Sequence, residues 1–584
     1  MDRILIANRG EIAVRIARAC AETGRRSIAV YADQDLDAMH VRVADEAIAL
    51  GGTTASDTYL SIDALLAAAR AARADAVHPG YGFLSESADL ARAVEAAGMR
   101  WIGPSPESID ALGDKLSARR IAQQVGAPLA PATDRPLADA DEAVAFAREH
   151  GLPIVIKAAH GGGGRGLKFA RTIDEVADAF GSATREAVVA FGRGECFVER
   201  YLEHARHIEA QVLGDGRGGV VVVGDRDCTL QRRGQKVIEE APAPGLSDEQ
   251  RARVHEAARA ICAAVDYRGA GTVEFLLAQD GTLAFLEVNT RLQVEHPITE
   301  AVTGIDLVHE QLRIAAGDGL SITATPSPVG HAIELRVTAE DPGRGFLPSP
   351  GRIEALRVPG GPGVRWDAGV EAGDRVEPAF DSLIAKLVVH APTRDAALAR
   401  MRRAVAELEV TGVASITPLA TAVLQEPAFV QEPIAVSTQW LESSLMPRIE
   451  PQLRASRPLE ELLRRVPIEL DGRRVVLGLP ESLLATLGDG ARAQAGPSTA
   501  EPSVAGDGPQ EPEDASAIVP AVPGTLVRWL VGDGEHVRDG QEVAIIDAMK
   551  LETPVTAHRT GTLAVLAAAG DEVAPGATIG RIDG

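Results

Sequence analysis

Apolar and polar positions over the first hundred residues follow the pattern of strands and helices that alternate along the chain. Residues 3–8 (RILIAN) and Ser27–Tyr31 are short apolar runs typical of buried strands, and Gly10–Cys20 between them has helical periodicity. The alternation continues to about residue 110 and predicts a doubly wound α/β domain over residues 1–112. The first strand-to-helix turn lacks the G-x-G-x-x-G sequence that pyrophosphate binding needs, so no NAD site is predicted there.

Two glycine-rich hairpins are predicted next, over residues 151–170 and 271–290, with helices between them. They predict α+β lobes over residues 113–328. Residues 329–445 add two strands, in HAIELRVTAE and DSLIAKLVVH, and a helix around residues 394–408. The chain is therefore predicted to be a mixed α/β and α+β protein of several domains, as its length of 584 residues also requires.

The periodic pattern weakens after residue 445. Residues 446–487 form a short strand-rich segment, which includes IELDGRRVVLGL and is a candidate for subunit docking. Residues 488–517 are dominated by Gly, Pro, Ala, Ser, Asp and Glu without apolar periodicity, and they are predicted to be a flexible linker. A linker of this kind reaches roughly 30 Å on average and about 100 Å when fully extended.

The last region, residues 518–584, contains an internal repeat. GTL followed by GEHVRDG, starting at Gly524, recurs as GTL followed by GDEVAPG, starting at Gly561. Two similar strand–turn–strand halves predict a small, quasi-symmetric β-sandwich. Lys550, in the sequence IIDAMKLE between the halves, falls where a hairpin tip is predicted.

Composition and charge narrow the class of protein. A net charge of −24 argues against a nucleic-acid partner, and no stretch of eighteen uncharged apolar residues indicates a membrane span. Charged side chains near the start of the chain argue against a signal peptide. The four cysteines have neither metal-ligand nor disulfide spacing, which suits a reducing compartment. We therefore expect a cytoplasmic protein that binds neither nucleic acid nor a membrane.

Lysine is rare among the 59 basic residues of the chain. A chain that uses Arg at nearly every positive position is expected to keep Lys where a compact charge or an acylatable amine is needed. The alternative explanation is codon bias with random survivors. The lysines are Lys115, Lys157, Lys168, Lys236, Lys386 and Lys550.

The first hairpin, IVIKAAHGGGGRGLKFA, has a loop rich in glycine. Bare backbone N–H groups can fold over a polyphosphate because no side chain keeps them from the anion. A flexible turn is the alternative, but Lys157 on the strand that leads into the loop favours phosphate binding. Lys168 on the returning strand is interpreted as structural. The loop glycines are Gly161, Gly162, Gly163, Gly164 and Gly166.

The second hairpin, VEFLLAQDGTLAFLEVN, predicts a metal site. If Asp280-Gly281 is a two-residue turn, Glu274 lies directly opposite Glu287. Opposed carboxylates destabilise a sheet unless a positive group lies between them. Asn289, two residues beyond Glu287, shares that face, and the three oxygen ligands suit Mg²⁺ bound to nucleotide phosphates. The alternative is a hairpin with both glutamates in solvent.

The sequence that follows, NTRLQVEHP, places a cation, an amide and a carboxylate just beyond these ligands. Arg291 can hold a small planar anion through two hydrogen bonds, and Glu295 can act as a general base.

Several ordered motifs of residues 1–445 resemble those of biotin carboxylases: HPGYGFLSE from His78, QRRGQKVIEE from Gln231, and NTRLQVEHP from Asn289. AMK, ending at Lys550 between two β halves, resembles the biotinyl domain of biotin carboxyl carriers. The resemblance implies an ATP-grasp biotin carboxylase with N-terminal, ATP-grasp and C-terminal domains, joined to a C-terminal all-β biotinyl domain, a flattened β-sandwich. Biotin would be attached covalently to Lys550.

The resemblance also implies the site residues. ATP would be held by Lys115, Lys157, Glu199, His207 and Gln231, with the glycine loop as a lid, and two Mg²⁺ or Mn²⁺ ions by Glu274, Glu287 and Asn289. Bicarbonate would be held by Lys236, Arg291, Gln293 and Val294, with Glu295 as its base. Arg336 would stabilise the enolate-like biotin anion, with Tyr81 and Gly82 near the ureido ring. Lys386, in a core-like strand, is given no site role.

The implied reaction has two steps at one site. ATP activates bicarbonate to carboxyphosphate, which breaks down to CO₂ and phosphate, and the phosphate then takes the proton from biotin N1′. No carboxyltransferase sequence is evident after residue 445, so a separate carboxyltransferase β subunit is expected, together with a biotin protein ligase and self-association through the carboxylase region. The chain thus resembles the α subunit of an actinobacterial-type acyl-CoA carboxylase, of acetyl- or propionyl-CoA type.

Several alternatives stay open at this stage. The chain can belong to another biotin-dependent carboxylase, such as a 3-methylcrotonyl-CoA enzyme, or to another ATP-grasp ligase of carbamoyl-phosphate or purine metabolism. It can also be a carrier or scaffold without activity. Pyruvate carboxylase is disfavoured because the transferase domain is absent. Gly234 replaces a histidine that the family usually has near the ribose, Ile416-Thr417 replaces Thr-Asn, and Asp547 precedes AMK.

Overall fold

The computed structural model describes residues 1–158, 167–191, 193–455, 463–470, 473–480, 516–520, 522–549, 551–574 and 576–583. The chain divides into two compact units, one of residues 1–339 and 349–445 and the other of residues 340–348 and 446–584. Gly161–Gly166, Lys550 and the predicted linker up to residue 515 lie outside the described residues.

The first unit begins with a five-stranded parallel sheet. In spatial order its strands are Glu46–Ala49, Arg26–Tyr31, Arg3–Ile6, Ala76–His78 and Arg100–Trp101. Apolar side chains cover both faces, which makes this sheet doubly wound, as the sequence predicts. The accompanying helices are Gly10–Glu22, Met39–Val43, Ile62–Ala71, Ala88–Ala96 and Pro106–Gly113, with a 3₁₀ turn at Asp33–Asp35.

Two predicted boundaries in this sheet need correction. The first strand ends at Ile6 rather than at residue 8, because the Asn8 side chain turns away and donates to the carbonyls of Pro79 and Tyr81, both at 2.7 Å. The first helix runs on past Cys20 to Glu22. Asn8 therefore ties the end of the first strand to the loop that carries Tyr81.

A second, smaller sheet carries the strands that flank the glycine loop. Its antiparallel strands, in spatial order, are Leu167–Ala170, Ile154–Ala158 and Cys196–Arg200, and helices Ala140–His150 and Ile173–Phe191 accompany them. The predicted hairpin is confirmed on both sides of the loop. Helix Lys115–Gln124 precedes this lobe and begins at Lys115 because the Asp114 side chain caps it by accepting from the Ser117 N–H.

An eight-stranded sheet forms the centre of the first unit. Strand Gln235–Ala241 pairs with strand His331–Thr338, so stretches from both sides of residue 328 share one sheet. This pairing brings Arg336 next to the residues of the ATP-grasp stretch. In spatial order the strands are Leu283–Asn289, Arg268–Leu277, Arg206–Asp215, Val220–Arg232, Gln235–Ala241, His331–Thr338, Leu383–Ala391 and Val364–Ala368.

Helices and short strands complete the first unit. The helices are Asp248–Ala263, His296–Thr303, Leu307–Ala316, Arg394–Glu407, Thr417–Val423 and Pro427–Val430, with a π-helical turn at Leu441–Leu445. The short strand pairs are Gly351–Arg352 with Arg375–Val376 and Ala355–Arg357 with Glu409–Thr411.

The second unit contains the predicted strand-rich segment and the repeat region. Strands Leu463–Leu470 and Arg473–Pro480 form an antiparallel hairpin, which confirms the strands expected around residue 468. Helix Met446–Ala455 precedes the hairpin. The unit also includes strands Glu340–Asp341 and Leu347–Pro348 and the 3₁₀ turn Pro342–Arg344.

The repeat region forms two four-stranded sheets, as the internal repeat predicts. One contains, in spatial order, Ala517–Ile518, Gly580–Asp583, Gly561–Val565 and His536–Val537, and the other Leu551–Thr556, Glu542–Ala548, Gly524–Trp529 and Glu572–Val573. The two halves exchange partners, since Gly524 pairs with Val573 and Gly561 with Val537. Strands Glu542–Ala548 and Leu551–Thr556 pair up to Ala548 opposite Leu551, and between them Met549 is buried at a φ of 55°.

The paired glycines of the repeat are required by close backbone contacts. A Cβ at Gly524 would lie 2.3 Å from the Asp547 carbonyl oxygen, and one at Gly561 would lie 2.6 Å from that of Asp583. Both glycines therefore let a neighbouring strand approach where any side chain would collide.

We expect Gly524→Ala to destabilise the repeat region by about 1–3 kcal/mol, because a methyl group forced into a packed contact displaces the backbone. Calorimetry of the full chain measures the loss. Gly532→Ala is the matched control, since its Cβ would meet only the flexible end of Glu535 at 3.4 Å. Equal melting curves for the two variants would contradict this account of the repeat.

Candidate active site

The candidate site lies on one face of the eight-stranded sheet, where buried carboxylates from several strands converge. Glu209, Glu274 and Glu239 come from strands Arg206–Asp215, Arg268–Leu277 and Gln235–Ala241. All three are at most 4% exposed. Buried charges at this density require cationic partners within the protein.

Glu274 and Glu287 lie directly opposite one another, as predicted, but the predicted turn is wrong by one residue. Leu277 pairs with Leu283, and the Ala278 N–H donates to the Thr282 carbonyl, so the loop has three residues instead of Asp280-Gly281 alone. That pairing by itself would set Glu274 against Leu286. A bulge between Glu274 and Phe275 shifts the register by one residue and restores the opposition of the two glutamates.

Side-chain nitrogen atoms surround the carboxylate of Glu274. Its Oε1 accepts from Asn289 Nδ2 at 2.7 Å and from Gln293 Nε2 at 3.2 Å, and its Oε2 lies 2.9 Å from His207 Nε2. Burial raises the pKa of Glu274, but Lys236 and His207 more than offset this and hold the pKa well below its usual value. Glu274 is therefore ionised at neutral pH.

The residues present fit a divalent cation. Glu287 has its pKa raised by burial and by the neighbouring Glu274 charge, which is the repulsion that a cation between them would relieve. The Asn289 Oδ1 accepts a hydrogen bond from Arg291 at 3.1 Å. Rotation of the side-chain amide by 180° would exchange its nitrogen and oxygen and present the oxygen to the ion. Two carboxylates and an amide oxygen are ligands that Mg²⁺ accepts.

Lys236 is the cation that holds the carboxylates together. Its Nζ lies 2.8 Å from Glu295 Oε1 and 3.2 Å from Glu274 Oε1, and it also bonds Glu209. Burial lowers the pKa of Lys236, but the three glutamates outweigh it and raise the pKa well above the usual value. The three glutamates therefore favour the charged ammonium form.

Glu295 lies between two cations at the start of a helix. It precedes helix His296–Thr303 and is fully buried. Its Oε1 contacts Lys236, and its Oε2 accepts from Arg336 at 2.9 Å. Burial raises the pKa of Glu295, but Lys236 and Arg336 hold it well below the usual value. The carboxylate is therefore held in the ionised form, which a general base requires.

Arg336 links the site to a second pair of carboxylates. Its Nε donates to Glu239 Oε1 at 2.6 Å, and Glu239 is paired with Glu334 on the adjacent strand. Burial raises the pKa of Glu239 to about 7, with Arg336 opposing the rise. Burial likewise raises the pKa of Glu334 well above its usual value.

The predicted anion-binding residues lie beside this cluster. Arg291 donates to Gln293 Oε1 at 3.1 Å and to Glu86 Oε2 at 3.2 Å, and its side chain is 18% exposed. Gln293 and Val294 lead directly into Glu295. The structure therefore brings Arg291, Gln293 and Glu295 together, with the guanidinium facing partly toward solvent.

The predicted nucleotide residues form two groups. Lys157 and Glu199 form an ion pair on the smaller sheet. Gln231 Nε2 lies 3.3 Å from His207 Nδ1, and His207 contacts Glu274, a predicted metal ligand. Lys115 is 68% exposed with its Nζ 3.9 Å from Glu287, and it lines a cavity of about 420 Å³ with Glu287 and Asn289.

Tyr81 and Gly82 lie on the loop after strand Ala76–His78. The Tyr81 hydroxyl donates to Glu11, and its carbonyl accepts from Asn8. Gly82 has a φ of 69°, a backbone conformation that favours glycine.

Sequence reasoning missed several residues of the cluster. Glu209 lies two residues beyond His207 and shares its sheet face, and this spacing could have identified Glu209 from the sequence. Glu86 lies within the motif HPGYGFLSE, but nothing in the sequence pairs it with Arg291. Lys386, expected in a core-like strand with no site role, is fully buried on strand Leu383–Ala391, and its ammonium lies 2.9 Å from the Val294 carbonyl oxygen. Lys168 pairs with Glu186 at 2.6 Å, in keeping with a structural role.

Comparisons with known proteins identify the family. Sequence profiles match over residues 1–109 (biotin carboxylase, N-terminal domain), 114–323 (carbamoyl-phosphate synthase L chain, ATP binding domain), 334–443 (biotin carboxylase C-terminal domain) and 517–582 (biotin-requiring enzyme). The biotin-dependent acyl-coenzyme A carboxylase alpha3 subunit of Mycobacterium leprae is 50% identical over 99% of this chain and 98% of its own. Biotin carboxylase of Pseudomonas aeruginosa is 46% identical over 76% of this chain and 99% of its own.

Solved structures of biotin carboxylases resemble about three quarters of the chain. Biotin carboxylase of Campylobacter jejuni, in a complex with β-γ-ATP, has a TM-score of 0.71 at 42% identity and covers 75% of this chain and 98% of its own. The biotin carboxylase domain dimer of Hydrogenobacter thermophilus 2-oxoglutarate carboxylase, with MgADP, ADP and bicarbonate, has a TM-score of 0.71 at 41% identity and covers 78% and 98%.

The chain belongs to the biotin-dependent carboxylases, in the family of acyl-CoA carboxylase α subunits that join a biotin carboxylase to a biotinyl domain. It is an ATP-dependent carbon–nitrogen ligase, with biotin, ATP, a divalent metal and bicarbonate as its cofactors and substrates. The matches at both ends of the chain argue against a carbamoyl-phosphate or purine-pathway ligase. Among the described residues, no helix is long and apolar enough to cross a membrane.

We expect Glu274→Gln to raise the midpoint of Mg²⁺ activation by at least about tenfold, because the amide removes one anionic ligand and upsets the hydrogen bonds around it. The measurement is a Mg²⁺ titration of bicarbonate-dependent ADP formation with free biotin. Glu95→Gln is the control, since Glu95 pairs with Arg268 on the protein surface. An unchanged midpoint for Glu274→Gln would rule out the carboxylate pair as a metal site.

We expect Lys236→Met to lower kcat/KM for bicarbonate about 100-fold and to move the acid limb of its pH profile to higher pH. Burial raises the pKa of Glu295, and Lys236 is the largest opposing influence, so its loss lets the carboxyl group protonate at higher pH. Lys168→Met, on the surface pair with Glu186, is expected to leave the acid limb in place. A slower enzyme with an unmoved acid limb would show that Glu295 is not the titrating base.

Proposed function

We propose that the cluster around Lys236 deprotonates bicarbonate and presents it to ATP. Arg291, Gln293, Lys236 and the main chain of Val294 hold the anion, and Glu295 takes its proton. The observation that carries this proposal is the placement of Glu295: it is fully buried, ionised between Lys236 and Arg336, and two residues from Gln293. A base in this position is within reach of a small anion held by Arg291.

The nucleotide and the metal are assigned to residues next to this anion site. Lys115, Lys157, Glu199, His207 and Gln231 bind ATP under the loop of Gly161–Gly166, and Glu274, Glu287 and Asn289 hold Mg²⁺ or Mn²⁺. The metal, when bound, neutralises charge on the transferring phosphoryl group. The lysines add to this neutralisation through fixed charges that need no reorganisation.

Arg336, Tyr81 and Gly82 are assigned to the ring of biotin, which supplies the nitrogen that accepts the carboxyl group. Arg336 is positioned by Glu239 and Glu295, so its charge is fixed in a site of low polarity where an enolate-like anion would develop. Lys550 carries the biotin, attached by a biotin protein ligase. Residues 488–517 tether it at an effective concentration on the order of millimolar.

The partners follow from the α-subunit family. A carboxyltransferase β subunit receives the carboxyl group and chooses the acyl-CoA, of acetyl or propionyl type, and residues 446–487 are the docking segment. A 3-methylcrotonyl-CoA or similar carboxylase is the alternative. We further propose self-association through the carboxylase region, as in the Hydrogenobacter domain dimer, and a cytoplasmic location, supported by four buried free cysteines.

The test of this function is ADP formation by the purified chain with and without bicarbonate and free biotin. We expect release that depends on bicarbonate and rises with free biotin. Absence of release from the intact chain would instead support a carrier or scaffold without activity.

We expect Lys550→Arg to abolish biotin attachment while ADP formation with free biotin stays within twofold. Arginine keeps the positive charge but has no acylatable amine. Intact mass measured after co-expression with a biotin ligase reports attachment. Biotin found on the variant would place the attachment site elsewhere in the chain.

We expect deletion of residues 490–514 to slow carboxyl transfer to an added β subunit at least tenfold and to spare the reaction with free biotin, because a shortened tether cannot span two sites. Replacement of the same residues by a Gly/Ser segment of equal length is the matched control and is expected to restore transfer. Equal losses in both assays would contradict the role of the tether.

A further inference from the structure

Lys386 has a buried ammonium group that the functions assigned above do not use. Its side chain is fully buried on strand Leu383–Ala391. The Nζ lies 2.9 Å from Glu11 Oε1 and 2.9 Å from the Val294 carbonyl oxygen. A buried ammonium group is costly unless its donors are satisfied, and here one of its acceptors is the main chain of the bicarbonate segment.

Glu11 connects Lys386 to the biotin side of the site. Its Oε1 also accepts from the Tyr81 hydroxyl, and the Tyr81 ring lies 5.7 Å from Lys386 Nζ. Glu11 is 5% exposed and lies on helix Gly10–Glu22, so it joins the first sheet to the eight-stranded sheet. Lys386, Glu11 and Tyr81 thus form one connected group, which we call the Lys386 triad.

The position of Lys386 in its sheet places it between one cation and one anion. It lies directly opposite Arg336 on one neighbouring strand and opposite Asp367 on the other. Two cations in direct opposition destabilise a sheet. The two cations have different anionic partners: Lys386 contacts Glu11, whereas Arg336 contacts Glu239 and Glu295.

The chemistry at this position also requires lysine. The Val294 carbonyl and the Glu11 carboxylate approach one nitrogen from different parts of the fold, and a compact ammonium group can serve both. This explains the presence of lysine here in a chain that otherwise prefers arginine.

We propose that Lys386 is a positioning residue that holds the bicarbonate segment at Val294 and the biotin-ring wall at Tyr81 in one fixed arrangement. The inference rests on the proposed function, in which Val294 faces bicarbonate and Tyr81 faces biotin. It goes beyond that function because a single buried ammonium group then sets the distance between the two substrates. ATP and metal are bound by other residues and do not depend on the triad.

The test is a steady-state analysis of Lys386→Met with free biotin as the acceptor. Methionine keeps an unbranched side chain of similar length but removes the donor and the charge. We expect the KM for bicarbonate and the KM for free biotin each to rise at least tenfold, while the KM for ATP and the Mg²⁺ midpoint change less than twofold. A residue needed only for folding would lower the amount of active protein and leave all KM values unchanged.

Arg394→Met is the matched control, because it breaks another buried ion pair. Arg394 Nε donates to Glu240 Oε2 at 2.7 Å, on the opposite side of the sheet from Glu239. We expect it to lower the melting temperature and to leave the KM values for bicarbonate and biotin within twofold of those of the unaltered chain.

A double-mutant cycle tests whether the triad acts as a unit. Tyr81→Phe removes the hydroxyl that bonds Glu11, and we expect it to raise the KM for biotin in the unaltered chain and to add less than twofold in the Lys386→Met background. If Lys386→Met does not fold, Lys386→Met with Glu11→Gln leaves no unpaired charge and undergoes the same analysis. Full additivity in the cycle, or unchanged KM values for bicarbonate and biotin, would overturn the proposal.

Failure of this inference is distinguishable from failure of the proposed function. An unaltered chain that forms ADP in a bicarbonate-dependent manner while Lys386→Met matches its KM values refutes the triad alone. An unaltered chain without bicarbonate-dependent ADP formation refutes the proposed function first.

Discussion

The interaction on which the site depends is the contact of Lys236 with three buried glutamates. Glu209, Glu274 and Glu295 converge from two strands and a helix start, and Lys236 contacts all three. It offsets their mutual repulsion together with Arg226, His207 and Arg336. Removing one member of such a buried group typically costs about 3–5 kcal/mol. The Lys236 charge that offsets this repulsion also lowers the pKa of Glu295, so the stability of the cluster and the ionisation of Glu295 have a common cause.

The eight-stranded sheet is the scaffold that makes this contact possible. Its strands come from both sides of residue 328, and the pairing of Ile238 with Leu335 sets the register that delivers Arg336 to Glu295. On this sheet, like charges face each other directly at Glu274 with Glu287 and at Arg336 with Lys386. Each opposition is relieved by groups outside the pair. The pairs of like charge on this sheet are therefore residues to which the proposals above assign a role.

Much of the fold was predictable from the sequence because it rests on local patterns. The doubly wound sheet follows from apolar periodicity, and the repeat at Gly524 and Gly561 predicts the two-sheet carrier. The opposition of Glu274 and Glu287 was also predicted, although the turn was misplaced by one residue and only the bulge beside Glu274 corrected the register. A bulge has no simple sequence signal, because its position depends on packing across the whole sheet.

What escaped prediction depends on contacts between distant parts of the chain. Glu11 and Lys386 are 375 positions apart, and nothing local indicates that they meet beneath Val294. Glu86 accepts a hydrogen bond from Arg291 across a gap of 205 positions. Residue types and spacing identify ligands on one element, whereas the partners that orient those ligands come from elements that only the tertiary fold brings together.

The central claim is that the buried cluster at the front of the chain loads a carboxyl group onto the prosthetic group near its end. The most direct measurement incubates the biotinylated chain with ATP and radiolabelled bicarbonate, then locates acid-labile label by peptide mapping at neutral to alkaline pH. The account predicts label on the peptide that contains Lys550, and none when ATP is omitted. Hydrolysis of ATP without label on that peptide would contradict it.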